Sequence, residues 1–108
     1  MRTLDVDAVL HKVRENFLRL LTERTLVVEA VLAKRSLEPR DLEQVLFVVH
    51  KVAGTASTLG FSHLGEAARA CEESLRGDQA SDGVLSPRSK QLLAGFVCHS
   101  YQMLEMSE

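Results

Sequence analysis

The sequence has no apolar run suited to a bilayer: no stretch approaches the roughly 18–20 uncharged apolar residues that a spanning helix needs. The Met1-Arg2-Thr3-Leu4-Asp5 start lacks the apolar core of a secretory signal. Both absences lead to the expectation of a cytoplasmic protein with no membrane partner. A basic excess is missing too. Lys and Arg total 13 against 15 Asp and Glu, a formal net charge of −2, and Lys34-Arg35 is the longest basic run. Such a chain is poorly equipped to neutralise a row of phosphates, so nucleic acid is not an expected partner. Cysteine is scarce: Cys71 and Cys98 lie far apart and match no metal-ligand spacing, so both are expected as reduced, packed thiols. There is no phosphate-gripping glycine loop followed by lysine and Ser/Thr, no nucleophile-elbow pattern and no compact carboxylate set for Mg²⁺. The chain is therefore not expected to run kinase or hydrolase chemistry by itself.

What the sequence does have is helical periodicity. Its 108 residues fit one domain over 1–108, and the 45% hydrophobic content falls in periodic blocks, which argues for a folded globule. Apolar residues recur at three- and four-residue spacing from Leu4 to Lys34. This reads as one long helix, or a short leading helix followed by a long one, with the β-branched stretch around Thr25 to Val28 as its weakest part. Ser36-Leu37-Glu38-Pro39 marks a boundary, since proline is tolerated in a first helical turn. A second helix is expected from Pro39 to Leu59, with Leu42, Val45, Leu46, Val49, Val52, Ala53 and Ala56 as its apolar stripe, ending at Gly60. Ser62 is the expected cap of a third helix that uses Leu64, Ala67, Ala68, Cys71 and Leu75, tolerates Gly65 at some cost, and stops near Gly77. Asp78 to Ser86 reads as a loop, and Ser86-Pro87 as the start of a last helix carrying Leu92, Leu93, Phe96, Val97, Tyr101 and Leu104. Short connections favour an all-α, four-helix up-down antiparallel bundle, with room for a short extra N-terminal helix. Phe17, Leu20, Val49, Leu64 and Phe96 are its expected core anchors.

The chemically informative stretch is Phe47 to Gly60. On a helix, His50 shares a face with Phe47, Ala53 and Gly54. A mid-helix glycine costs up to about 1 kcal/mol relative to alanine, so Gly54 needs a compensating reason. Room is one: Gly54 bares the surface beside the His50 ring, and Phe47 offers an apolar contact to a docking partner. Neutral imidazole keeps a lone pair able to attack phosphorus. From helix geometry alone, His50 is either such a functional imidazole or an incidental histidine. Lys51 reads as a steering charge or a solvated one, and Ser57, two turns on, as lining for the same face or a water site. Thr55 and Thr58 are expected to bond the helix backbone.

With these residues in place, the segment Phe47 to Leu75, about a quarter of the chain, resembles the histidine phosphotransfer (HPt) domain family of two-component phosphorelays. The family's His-x-x-Lys-Gly core, small residues, Leu/Phe-Gly pair and following amphipathic helix are matched by His50-Lys51-Val52-Ala53-Gly54, Thr55-Ala56, Leu59-Gly60, and Leu64 through Ala67, Ala68, Glu72 and Leu75. The resemblance implies a four-helix bundle whose His50 takes a phosphoryl group on Nε2 from a receiver-domain aspartate and passes it to another. It also implies response-regulator receivers and a hybrid sensor kinase as partners, no intrinsic cofactor, and Mg²⁺ supplied by the receiver. A monomer is expected, with a dimer left open. The sequence departs from the family at Ala53, where a lysine commonly helps neutralise the phosphoryl group; Lys51 sits about 100° around the helix from His50. That departure keeps open a noncatalytic helical module that docks a receiver or kinase without transfer.

Other candidates read as ordinary surface. His63 follows Ser62 at a helix start, His11 and Glu15 are an i,i+4 pair, and Cys98-His99 is an isolated doublet. Glu23, Glu29, Glu66, Glu72 and Glu73 do not form the paired Glu-x-x-His set of di-iron bundles and read as solvated helix faces. An acidic residue beside the histidine, usual in kinase dimerisation domains, is replaced here by Lys51.

Overall fold

Local chemistry sets the ends of the helices. The computed structural model describes residues 5–107 as α1 Val6–Leu32, α2 Pro39–Ala56, α3 Ser62–Ala80 and α4 Pro87–Met106, with Leu4 outside the described residues. Asp5 caps α1 by accepting from the Ala8 N–H, and α1 then runs unbroken through the β-branched stretch, so no separate leading helix forms. Thr25 is buried there and donates to the Leu21 carbonyl at 2.7 Å, which satisfies its hydroxyl inside the helix. Pro39 opens α2, where the Asp41 carboxylate accepts from the Glu38 N–H at 2.7 Å and from Lys34 Nζ at 2.9 Å. The backbone bond from Glu38, then the Lys34 ammonium, hold the Asp41 carboxyl below its ordinary pKa and tie the end of α1 to the start of α2.

α2 ends at Ala56, three residues before the expected Leu59, and a turn over 57–60 leads to Gly60, which closes it. With φ at +89° it lets Phe61 N–H reach the Ala56 carbonyl at 2.8 Å and its own N–H reach Ser57 at 3.2 Å, the paired bonds of a Schellman stop. Two expectations about α3 need correcting. Ser62 does not cap α3; Phe61 holds the N-cap position, because its ring stacks on Phe17 with centroids 5.4 Å apart. The third helix does not stop at Gly77 but continues to Ala80, so Asp78 is helical. From there its carboxylate accepts from the Ser86 N–H at 3.0 Å and from the Ser89 hydroxyl at 2.6 Å, pinning the loop to the start of α4. Burial works to raise the Asp78 pKa, but those bonds outweigh it and hold the carboxyl below its ordinary value. Ser86 caps α4 through the Ser89 N–H, with Pro87 at the first helical position.

The helices contact in ring order, α1 with α2, α2 with α3, α3 with α4 and α4 with α1, which is an up-down bundle. Phe17, Val49, Leu64 and Phe96 are core residues, as expected. Leu20 is not: it is half-buried outside the core cluster. Leu21 takes its place because the buried stripe of α1 runs Phe17, Leu21, Thr25, Val28 and Val31, leaving Leu20 about 100° off that face. Cys71 is buried, and burial pushes its thiol up to about 12, whereas Cys98 is exposed rather than packed. No helix among the described residues is long and apolar enough to cross a membrane.

α3 packs closely on the end of α2 at Gly65. A Cβ there would collide with the Ser57 hydroxyl and sit 3.3 Å from the Ser57 backbone nitrogen. A side chain at 65 would therefore push α3 away from α2. Gly77, also in α3, has nothing within 4 Å of such a Cβ. The two glycines should respond to alanine with opposite signs in urea denaturation. Gly77→Ala should stabilise by about 0.5–1 kcal/mol through helix propensity. Gly65→Ala should destabilise by about 1 kcal/mol, since overpacking outweighs the same gain, with part recovered when Ser57→Ala is added. A Gly65→Ala chain as stable as the natural one would refute the tight crossing.

Candidate functional site

The crossing at Gly65 brings α3 close enough for side chains two turns further on to meet α2. His50 lies on the exposed side of α2, its side chain 59% accessible, and Glu72 reaches it from α3 with a side chain only 16% accessible. His50 Nδ1 and Glu72 Oε2 are 2.6 Å apart, and the Arg76 guanidinium donates to the same oxygen at 2.6 Å. Burial works to raise the Glu72 pKa, but the hydrogen bonds from Arg76 and His50 outweigh it, and the net shift is downward. An ionised carboxylate can only accept. The proton between the two groups therefore belongs to Nδ1, and in the neutral ring Nε2 keeps its lone pair.

Phe47 is 57% exposed one turn before His50 on the same face. The Lys51 ammonium lies 5.5 Å from the Phe47 ring centroid, one turn back toward the N-terminus. Gly54, one turn after His50, is exposed, and a Cβ built on it meets nothing within 4 Å. An open groove of about 400 Å³ lies here, lined by His50, Lys51, Ala53, Gly54, Thr55, Arg69 and Glu72. Ala53 contributes to that lining but is only 6% exposed and packs with the core, so it supplies floor and no functional group. Ser57 accepts from the Arg69 guanidinium at 3.1 Å and abuts Gly65. Thr55 and Thr58 donate to the Lys51 and Gly54 carbonyls, at 3.1 and 3.2 Å.

A family model for the Hpt domain matches residues 12–97, well over half of the chain. The chain belongs to the Hpt domain family. Hpt domains serve histidine phosphotransfer in two-component signalling and interact with receiver domains. No curated protein and no solved structure matches this chain significantly.

Within this Hpt domain, three site residues escaped sequence reasoning. Glu72 was expected on a solvated face; it is instead the partner of His50. Arg69 and Arg76 drew no attention, although Arg69, Glu72 and Arg76 follow at i, i+3 and i+7 and so share one face of α3. That alternating charge was the available signal. The remaining candidates stay apart: His11 pairs with Glu15 at 2.7 Å on the surface of α1, and His63 and His99 are exposed. Among the described residues, no three or more His, Cys, Asp or Glu side chains converge.

The Glu72 contact predicts a tautomer. At neutral pH the His50 ring of the natural domain should carry its proton on Nδ1, read by long-range ¹H–¹⁵N NMR, and Glu72→Gln should shift protons toward Nε2. Because the folded carboxyl is held below its ordinary pKa, the contribution of Glu72 to stability is fully present above the ordinary glutamate range and lost as pH falls through the lowered value. The stability gap between the natural chain and Glu72→Gln should accordingly close only below that range. An unchanged tautomer in Glu72→Gln would remove Glu72 from this role.

Proposed function

We propose that His50 is the phospho-acceptor of this Hpt domain, receiving a phosphoryl group from the aspartyl phosphate of one response-regulator receiver and returning it to the aspartate of another. The observation that carries this reading is the exposed imidazole whose Nδ1 is held by Glu72 at 2.6 Å beside an unobstructed Gly54. In the transfer, the Nε2 lone pair attacks phosphorus, the N–P bond forms as the acyl-phosphate P–O bond breaks, and the receiver's aspartate leaves as a carboxylate. Nε2 has no proton to lose, because the ring proton sits on Nδ1. The imidazolium that forms is stabilised through Nδ1–H by the Glu72 carboxylate, much as a buried carboxylate orients and steadies a catalytic histidine elsewhere. Return transfer reverses these bond changes.

Phe47 and the open surface at Gly54 suit docking of a receiver, with Lys51 steering its acidic face. On this reading Mg²⁺ comes with the receiver, and the Glu72 carboxylate is engaged with His50 and Arg76. This reading carries a cytoplasmic setting and a hybrid sensor kinase upstream.

Transfer from ³²P-labelled receiver domains tests it. The natural chain should acquire acid-labile, base-stable label, and His50→Gln should acquire none. Receiver binding without label across a broad receiver set would instead favour a docking-only module. A second variant separates room from folding. Gly54→Ala should be as stable as the natural chain or more so, by up to about 1 kcal/mol. Its methyl occupies the space beside the ring, so transfer should slow by about tenfold as the receiver's phosphorus is held off line. Undiminished transfer in that variant would show that the open surface is not needed.

A further inference from the structure

We propose that Arg69 is the phosphoryl-binding residue of the groove beside His50, reaching the group from α3; the inference rests on His50 being the phospho-acceptor. A phosphoryl group on Nε2 brings about −1.5 to −2 charges to a ring that already has the Glu72 carboxylate at Nδ1. Two anionic groups across one imidazole repel, so a cation is needed on the side where the group arrives.

Three cations stand near His50, and their partners distinguish them. Arg76 donates to the Glu72 carboxylate at 2.6 Å and so neutralises the charge already present. Lys51 also lines the groove, but its ammonium lies over the Phe47 ring, one turn back along α2. Arg69 is hydrogen-bonded only to a neutral acceptor, the Ser57 hydroxyl at 3.1 Å, has no carboxylate partner among the described residues, and differs from Lys51 in reaching the groove from α3 with a fork of donors. It lines the groove together with His50 and Gly54. Neither Gly54, which has no side chain, nor Ala53, a methyl set in the groove floor, places a group between them. Glu43, which lines the other flank of His50 with Phe47 and Arg76, is the remaining charged neighbour there, and it is an anion.

The chemistry of the swap is favourable. Ser57 offers a hydroxyl that loses little when water replaces Arg69, whereas a guanidinium offers a phosphoryl group two parallel charge-assisted hydrogen bonds. The Ser57 contact holds the guanidinium at the groove before the group arrives, which limits the side-chain ordering needed afterward. Ser57 is itself fixed at the α2–α3 crossing by its packing on Gly65. Arg69 is thus a binding residue for the transferred group and a partner of neither ring nitrogen.

The test avoids any need to know the receiver. The full chain is phosphorylated with potassium phosphoramidate, whose P–N bond breaks and releases ammonia as the bond to Nε2 forms, and ³¹P NMR follows both the rate and the pH titration of the bound phosphoryl group. Arg69→Gln should slow labelling by about fivefold and raise the phosphoryl titration midpoint by about half a pH unit, values reduced from those of buried pairs because Arg69 is exposed. Arg69→Lys, which keeps a point charge without the fork, should fall between. A purely structural effect of Arg69→Gln would not move the titration of the phosphoryl group. Normal labelling of Arg69→Gln with an unmoved midpoint would overturn this inference and leave the His50 reading intact. Failure to label the natural chain, or equal labelling of His50→Gln, would overturn both.

Discussion

The close crossing of α2 and α3 at Gly65 is the constraint on which the rest of the site depends. A bundle held only by larger side chains would keep these helices further apart, and a glutamate on α3 would then fall short of a histidine on α2. With no Cβ at 65, the α3 backbone approaches that of Ser57. Seven residues on, two helical turns along the same face, Glu72 meets His50 at 2.6 Å. Ala68, Cys71 and Leu75 of α3 and Val49, Val52 and Ala56 of α2 are buried in the one core cluster, so the register that places Glu72 is also the one that closes the core. The site is exposed, yet its geometry is inherited from packing.

That inheritance shows how a small bundle can orient an imidazole without an enclosed pocket. The His50 ring is largely open to solvent, so its orientation comes from a partner and not from an enclosing pocket. The alternative used here is a directional one: an acceptor-only carboxylate on Nδ1 fixes which nitrogen carries the proton, and Arg76 keeps that carboxylate ionised. A neutral acceptor in place of Glu72 would leave the ring free to place its proton on either nitrogen, and one of those arrangements removes the lone pair that attack requires.

Much of the bundle could be read along the chain because its punctuation is local. Pro39, Gly60 and Ser86-Pro87 act through backbone conformation or their own side chains, and each marks a boundary where its chemistry says it should. The readings that failed needed a neighbour from elsewhere. Gly77 resembles a helix stop, but Asp78 is held in α3 by its bonds to the start of α4. Ser62 resembles a cap, but Phe61 takes that position through a stack with Phe17, forty-four residues away in sequence. Leu20 fits the apolar period as well as Leu21 does, and only the position of the other helices chooses between them. His50 and Gly54 were visible because the surprise of a mid-helix glycine is itself a local fact. Glu72 and Arg69 were not, since a charged face on a helix looks the same whether it meets water or another helix.

Gly54 and Gly65 show how one residue type serves two opposite ends. Both weaken their helices by the same conformational mechanism. At 65 the missing side chain is replaced by contact with Ser57, so the loss is offset within the fold. At 54 nothing fills the space, and the loss is offset by no contact within the fold. A sequence selected for stability alone would place alanine there. An empty, destabilising position one turn from the imidazole fits the role proposed for His50, in which an occupant arrives and leaves. In the role proposed for His50 a carrier must also release what it binds, which favours a solvent-screened cation such as Arg69 at the groove edge over a buried one: enough attraction to receive an anionic group, and too little to retain it.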